Sequence, residues 1–290
     1  MERLGADASL LPAAPADGPP AVVFVSLPVG LGGSTRSLAN LLDELGGDVT
    51  RVLAAPAGGR FVTLVDAGGR AEWHLPVVNV GERWAVLRRA STAVRLVRAL
   101  RPHRRRVRAL HANGLNELSV ALPAALVWRL PVVVWIHNFS RGRALTLMGR
   151  LWGVLGRRVE VRWAAVSPLA RDLVVDAGVA PAEAVAIVPN PIDPDDVVAV
   201  DRPVPPPVPA AGPDGPVTVA FLGTPRDYKG FQYLPGLVER VQAQEPVRWL
   251  VFSQQTDDHL ADTWERLRAL EAAGQVTLAG KVDDVRAAYG

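Results

Sequence analysis

Cysteine is absent from all 290 residues. That excludes disulfides, thiolate metal sites and a cysteine nucleophile, and it fits a reducing compartment. Lysine is nearly absent: it occurs only at Lys229 and Lys281 among 32 basic residues, arginine supplying the rest. No apolar run approaches the ~18 residues needed to span a bilayer. The opening MERLGADASLLPAAPADGPP has no basic start followed by an apolar core, so residues 1–20 are expected to form a disordered tail and not a secretion signal. A cytoplasmic protein is the expectation, with peripheral contact at the inner membrane face left open.

What the chain does contain is ordinary for a globular protein, 49% hydrophobic and 21% charged residues over a length sufficient for two domains. The net charge of +3 with a pI near 9.8 is modestly basic, and the excess gathers in arginine clusters. Such clusters suit phosphorylated ligands, anionic lipid or nucleic acid. The densest, Arg101-Pro-His-Arg-Arg-Arg106, has no interleaved aromatics and no nucleic-acid module around it. A solvated helix end is the better reading there, and no nucleic-acid partner is expected.

Ala21 to Leu27 is a continuous apolar run between two prolines, the pattern of a central parallel strand. VGLGGSTRSLANLLDEL follows: Gly30, Gly32 and Gly33 make a loop, Ser34 or Thr35 can cap, and Leu38, Leu41, Leu42 and Leu45 form a helix face. A glycine turn at the C-terminal edge of a sheet lets backbone approach a ligand closely, although tight strand–helix packing also calls for glycine. The third glycine of the dinucleotide fingerprint is missing, and no acidic residue closes the strand at Val49 to Ala55, so a nicotinamide dehydrogenase is disfavoured.

Further along, Phe61 to Val65 and Trp73 to Val80 read as lesser strands or connections, and Glu82 to Leu100 as a helix with a basic face. Strands are predicted at Val107 to His111, Pro131 to Ile136, Trp163 to Val166 and Ala184 to Val188, with helices at Leu118 to Arg129 and Leu169 to Ala177. Arg141 to Arg158 has an amphipathic helix pattern that suits core packing with snorkelling arginines, or an anionic lipid surface. His137, at the end of a central strand, sits where open α/β sheets bind ligands and could bond a sugar hydroxyl or phosphate.

Residues 21–198 thus predict a parallel sheet covered on both faces, and 199–216 a proline-rich linker. Beyond it, PVTVAFLGTPRDYKG gives a strand broken by Gly223, then a loop with Arg226 and Lys229, then a helix running on from Gly230. Two cations before a helix N-terminus suit a phosphate, while a solvated turn is the plainer alternative. Residues 217–290 begin a second parallel sheet, with strands at Val247 to Phe252 and Val276 to Ala279 and helices at Thr256 to Ala273 and from Asp283.

With these pieces in order, GLGGST, IHNF, AVS, PNPID and FLGTPRDYKG, the chain resembles family 4 of the retaining glycosyltransferases, which have the GT-B fold. The resemblance implies an α/β protein with a complete N-terminal Rossmann-like domain on the acceptor side and an incomplete C-terminal one for the nucleotide sugar. It implies transfer from a nucleoside diphosphate sugar to a saccharide, lipid or other small acceptor, with retention and no essential metal or cofactor. Gly32, Gly33, Gly223 and Lys229 would border or hold the donor. His137 would contact the transferred sugar, Lys229 and Arg226 would stabilise the leaving diphosphate, and Asn190 would shape the turn out of the first domain.

Two departures stand out. The family's arginine directly after the glycine is Thr224 here, so Arg226 must reach in from a shifted position. The family's paired glutamates would fall beyond Gly290, which implies a piece of a longer enzyme or a shortened product impaired in transfer. A non-catalytic ligand- or partner-binding protein derived from such an enzyme is the alternative.

Overall fold

The structure, a computed structural model, describes residues 18–77, 85–137, 152, 154–155, 157–192, 216–255 and 260–282. The chain divides into two compact units, Met1–Ile192 and Asp193–Gly290. The expected tail up to residue 17, the proline-rich spacer through residue 215, most of the Arg141 to Arg158 pattern and the helix from Asp283 fall outside the described residues.

In the first unit seven parallel strands form one sheet: β1 (Ala21–Val25), β2 (Thr50–Pro56), β3 (Trp73–Val77), β4 (Val107–Ala112), β5 (Val132–Ile136), β6 (Val161–Ala165) and β7 (Val185–Ile187). Their order across the sheet is β3-β2-β1-β4-β5-β6-β7. The chain builds outward from β1 in one direction, returns, and builds outward from β4 in the other. The strand order therefore reverses between β1 and β4, the position at the C-terminal strand ends where sheets of this kind have their ligand crevice.

Continuous apolar strands can be buried on both faces, and alternation along each strand assigns its residues to two cores. Val23 and Val25 of β1 join one core, with Leu96 and Leu100 of α3 (Ala85–Leu100), Leu118 and Leu122 of α4 (Leu115–Trp128) and Val174 of α5 (Pro168–Asp176). Phe24, between those two valines, joins the other with Leu38 and Leu42 of α1 (Gly33–Glu44) and Phe61 and Val65 of α2 (Arg60–Ala67).

Helix α2 corrects the expectation of a lesser strand or connection at Phe61 to Val65. Phe61, Val62 and Val65 are all buried on the side facing β1, a spacing that a helix satisfies and a strand would split between two faces. FVTLV is short and rich in β-branched residues, a composition that strands share.

The second unit pairs β8 (Thr218–Leu222), β9 (Arg248–Phe252) and β10 (Thr277–Leu278) in parallel, in the order β10-β9-β8. Helices α6 (Leu234–Gln242) and α7 (Ala261–Ala272) cover it, and Phe231 sits at the core centre with ring centroids 5.3 Å from Phe221 and 5.0 Å from Trp264. Helix α6 does not run on from Gly230 as expected. Gly230 at φ 74 ends one 3-10 turn, Asp227–Lys229, and a second, Phe231–Tyr233, intervenes before Pro235 seats the first turn of α6.

Candidate functional site

The strand exits at the crevice of the first unit are tied together by side chains. Asn113, just past β4, donates from Nδ2 to the Ser34 carbonyl in the first turn of α1, at 3.2 Å. Its Oδ1 lies 2.9 Å from Nε2 of His137 at the end of β5. Nδ1 of His137 lies 3.1 Å from the Asn190 amide beyond β7. One chain of polar contacts thus joins the exits of β1, β4, β5 and β7.

The polarity of that chain follows from its ends. Because Asn113 must donate to a carbonyl, its oxygen faces His137, and Nε2 of His137 carries the proton. Asn190 Oδ1 faces Nδ1, so a ring with its single proton on Nε2 calls for a half turn of the Asn190 amide that presents its NH₂ instead. His137 is neutral in this arrangement. Burial pushes its pKa down to about 4. Its ring also rests on Trp135, with centroids 4.5 Å apart.

Behind this row His111 is fully enclosed by Phe24 and Trp135, and desolvation, with the nearby His137, pushes its pKa down to about 3. Glu117, in the first turn of α4, is buried as well. Its Oε1 accepts from the Leu27 backbone N–H at 3.3 Å, pinning the exit of β1 to the start of α4. Desolvation raises it to about 7, against the opposing pull of two backbone N–H groups and the charge of Arg89. Gly114 makes room for it: φ is +145, and a Cβ there would stand 2.6 Å from Glu117 Oε2.

The glycine turn at α1 behaves differently. A Cβ on Gly30, Gly32 or Gly33 would meet nothing within 4 Å, and none of the three has the positive φ that favours glycine. Neither packing nor backbone conformation calls for glycine there. Gly32 is the N-cap and offers no side chain. Thr35 Oγ1 accepts from the Gly32 N–H at 2.8 Å, so Thr35 acts from inside the helix, and Ser34 does not cap.

In the second unit Gly223 ends β8 at φ +151, a conformation other residues rarely adopt, and its carbonyl accepts from Ser253 Oγ at 2.8 Å. A cleft of about 320 Å³ opens at this strand edge, lined by Gly223, Thr224, Ser253, Gln254 and Lys281. Arg226 and Lys229 stand on the exposed 3-10 turn beside it, linked by a 3.0 Å bond from the Lys229 N–H to the Arg226 carbonyl, and they are not among the residues lining that cleft.

The structure thus gathers Gly32, Gly33 and His137 at one edge of the first unit, and Gly223, Arg226 and Lys229 at the strand exits of the second. Asn113, Glu117, Ser253 and Lys281 escaped the sequence reading. The scarcity of lysine pointed to Lys281 as much as to Lys229, and the NGLNE stretch after β4 carried the signal of a strand-to-helix turn with an acid in the first helical turn.

A doubly wound parallel sheet with polar strand exits at its switch point, followed by a second parallel unit, defines a GT-B-like α/β protein. The sequence profile of Glycosyltransferase Family 4 matches residues 29–196, and the chain belongs to that family. HepE from Anabaena, solved in complex with UDP, shares the fold at a TM-score of 0.67 and 16% identity, over 92% of this chain and 71% of that one. A glycosyltransferase from Rickettsia africae matches at 0.59 and 12% identity, over 94% and 71%. A UDP-GlcNAc 2-epimerase from Neisseria meningitidis bound to UDP-GlcNAc matches at 0.55 and 11%, over 93% and 74%. Fold alone therefore accommodates an epimerase as well as transferases, and the family match is what separates them. No curated protein sequence matches the chain.

Proposed function

We propose that the protein transfers a sugar from a nucleoside diphosphate sugar to an acceptor with retention of configuration and without an essential metal. In this reading the acceptor is bound mainly by the first unit and the nucleotide sugar mainly by the second, with Gly32 and Gly33 of the first unit bordering both the donor diphosphate and the acceptor. The observation that carries it is the set of glycines at the α1 turn that neither packing nor conformation calls for, next to a neutral histidine at the switch point. Bare backbone in open space at a helix N-terminus is what close approach of a diphosphate sugar uses. UDP or UDP-sugar complexes of proteins with the same fold favour a nucleotide of that kind.

His137 already bonds through both ring nitrogens, so a sugar hydroxyl reaches it by replacing the more exposed partner, Asn190, while Asn113 keeps the ring in place. Being neutral, it orients the sugar by hydrogen bonding and does not act as a cation. Lys229 and Arg226 hold the diphosphate and offset the charge that develops on it as the glycosidic bond breaks. Gly223 lets backbone lie close to the donor at the edge of the second sheet.

Two substitutions test this. Gly33→Ala should leave the folded state within about 1 kcal/mol of the parent, since the methyl meets nothing, yet weaken UDP-sugar binding at least about tenfold. Lys229→Ala should weaken UDP binding by about 1–3 kcal/mol in calorimetry. Unchanged affinity in both variants would remove the proposal, and UDP binding without sugar turnover would favour a non-catalytic binding protein.

A further inference from the structure

Between residues 83 and 159 the chain carries sixteen arginines, no lysine, and a single carboxylate, Glu117. That stretch alone is +15 against +3 for the whole chain, so everything else sums to −12. Glu117 is buried at the crevice, so it does nothing to neutralise the surface. The charge of the first unit is therefore segregated, not merely abundant.

The fold brings part of this stretch together at one place, while Arg89 lies near Glu117 at the crevice. The C-terminal ends of α3 and α4 meet at the N-terminal edge of the sheet, opposite the crevice. Between them lies a hollow of about 680 Å³ lined by Arg98, Arg101, Arg104, Val97, Val127 and Trp128. Arg95, Arg105, Arg108 and Arg129, each within four residues of a lining residue along the chain, are exposed. Among the described residues none of these seven arginines is in an ion pair, whereas Arg51, Arg70, Arg162, Arg171 and Arg266 elsewhere each have a carboxylate partner. Two helix C-termini attract cations, but each amounts to about half a negative charge, far less than seven guanidinium groups.

Apolar surface is interleaved with this charge. Val94, one helical turn before Arg98 on α3, is 49% exposed, and Val127 is 56% exposed. The Trp128 ring is covered by the Arg104 guanidinium, 6.0 Å from its centroid, so it is not open to stack on a base. Arginine with exposed valine at one surface fits a charged interface above hydrocarbon better than a polynucleotide, which would call for exposed aromatic faces.

We infer that the α3–α4 end of the first unit is a docking surface for an anionic phospholipid bilayer, with headgroup phosphates received in the hollow of Arg98, Arg101 and Arg104. Because the hollow and the crevice lie at opposite sheet edges, this surface tethers the protein and takes no part in binding the nucleotide sugar. The inference stands whether or not the transfer reading does.

Co-sedimentation of the protein with vesicles tests it. Vesicles of equal parts phosphatidylcholine and phosphatidylglycerol should bind it, those of phosphatidylcholine alone should not, and binding should fall with salt. An R98Q/R101Q/R104Q variant should bind on the order of 100-fold more weakly, at roughly fivefold per charge removed. R98K/R101K/R104K should keep most of the affinity, which separates charge from a folding defect, and UDP affinity should be unchanged in both variants. Equal binding by the glutamine variant and the parent would overturn the inference, as would loss of vesicle binding only when Arg141, Arg143 and Arg150 are replaced, or tighter binding to poly-U than to the anionic vesicles.

Discussion

Burying two histidines and a carboxyl group around one crevice couples the stability of the first unit to pH, and the direction can be worked out. His111 and His137 have folded pKa values of about 3 and about 4, against an ordinary 6.5. Their contribution is complete above pH 6.5 and is lost as the pH falls toward those folded values, because the unfolded chain takes up protons that the folded one refuses. Glu117 runs oppositely: raised from 4.5 to about 7, it favours the fold below pH 4.5 and loses that contribution as the pH rises through 7. Near the middle of the window the unfolded chain binds about two protons more at the histidines and the folded chain one more at Glu117. The difference of about one proton gives a slope of about 1.4 kcal/mol per pH unit, stability rising with pH.

Glu117→Gln removes the opposing proton, so its slope should roughly double, to about 2.7 kcal/mol per unit, whatever the substitution does to stability at a single pH. His137→Gln should bring the slope close to zero. Urea unfolding at two pH values between 5 and 6, followed by tryptophan fluorescence, measures all three slopes. Glu72, held below its ordinary value of 4.5 by its bonds to Arg51 despite the opposing effect of burial, titrates outside this window. Equal slopes in the parent and in Glu117→Gln would refute the account of Glu117 as a protonated, buried carboxyl.

Two further predictions concern packing. Gly59→Ala should destabilise the first unit by about 2 kcal/mol, because its Cβ would stand 2.4 Å from the Val29 carbonyl oxygen, a backbone atom that cannot step aside; thermal unfolding compared with Gly33→Ala checks the contrast. Phe61→Ala should cost about 3–5 kcal/mol, as Phe61 of α2 is fully buried against β1, and a loss of less than a quarter of that in urea unfolding would mean the core closes over the gap.

Much of the architecture was legible along the chain. Uninterrupted apolar strands such as Ala21–Val25 and Val132–Ile136 declare burial on both faces, which only a parallel sheet between helices supplies. The glycine turn and His137 were visible as strand exits. At Phe61 to Val65 the run was too short for periodicity to decide, and the demand of Phe24 and Leu53 for a covering face settled it as helix. Likewise the helix expected directly after Gly230 begins later, because a left-handed glycine and Pro235 together fix where regular hydrogen bonding starts.

Local pattern therefore determined the elements, their order and the family, since hydrophobic periodicity and turn residues are properties of neighbours in sequence. Tertiary structure alone decided the environments. Asn113 and Asn190, 24 and 53 residues from His137, meet it only because β4, β5 and β7 end at one edge. Glu117 holds its proton because the strand it pins excludes water, and the arginines of α3 and of the turn after it act together because two helix ends converge. Burial and charge proximity are relations between distant residues, and no spacing along the chain encodes them.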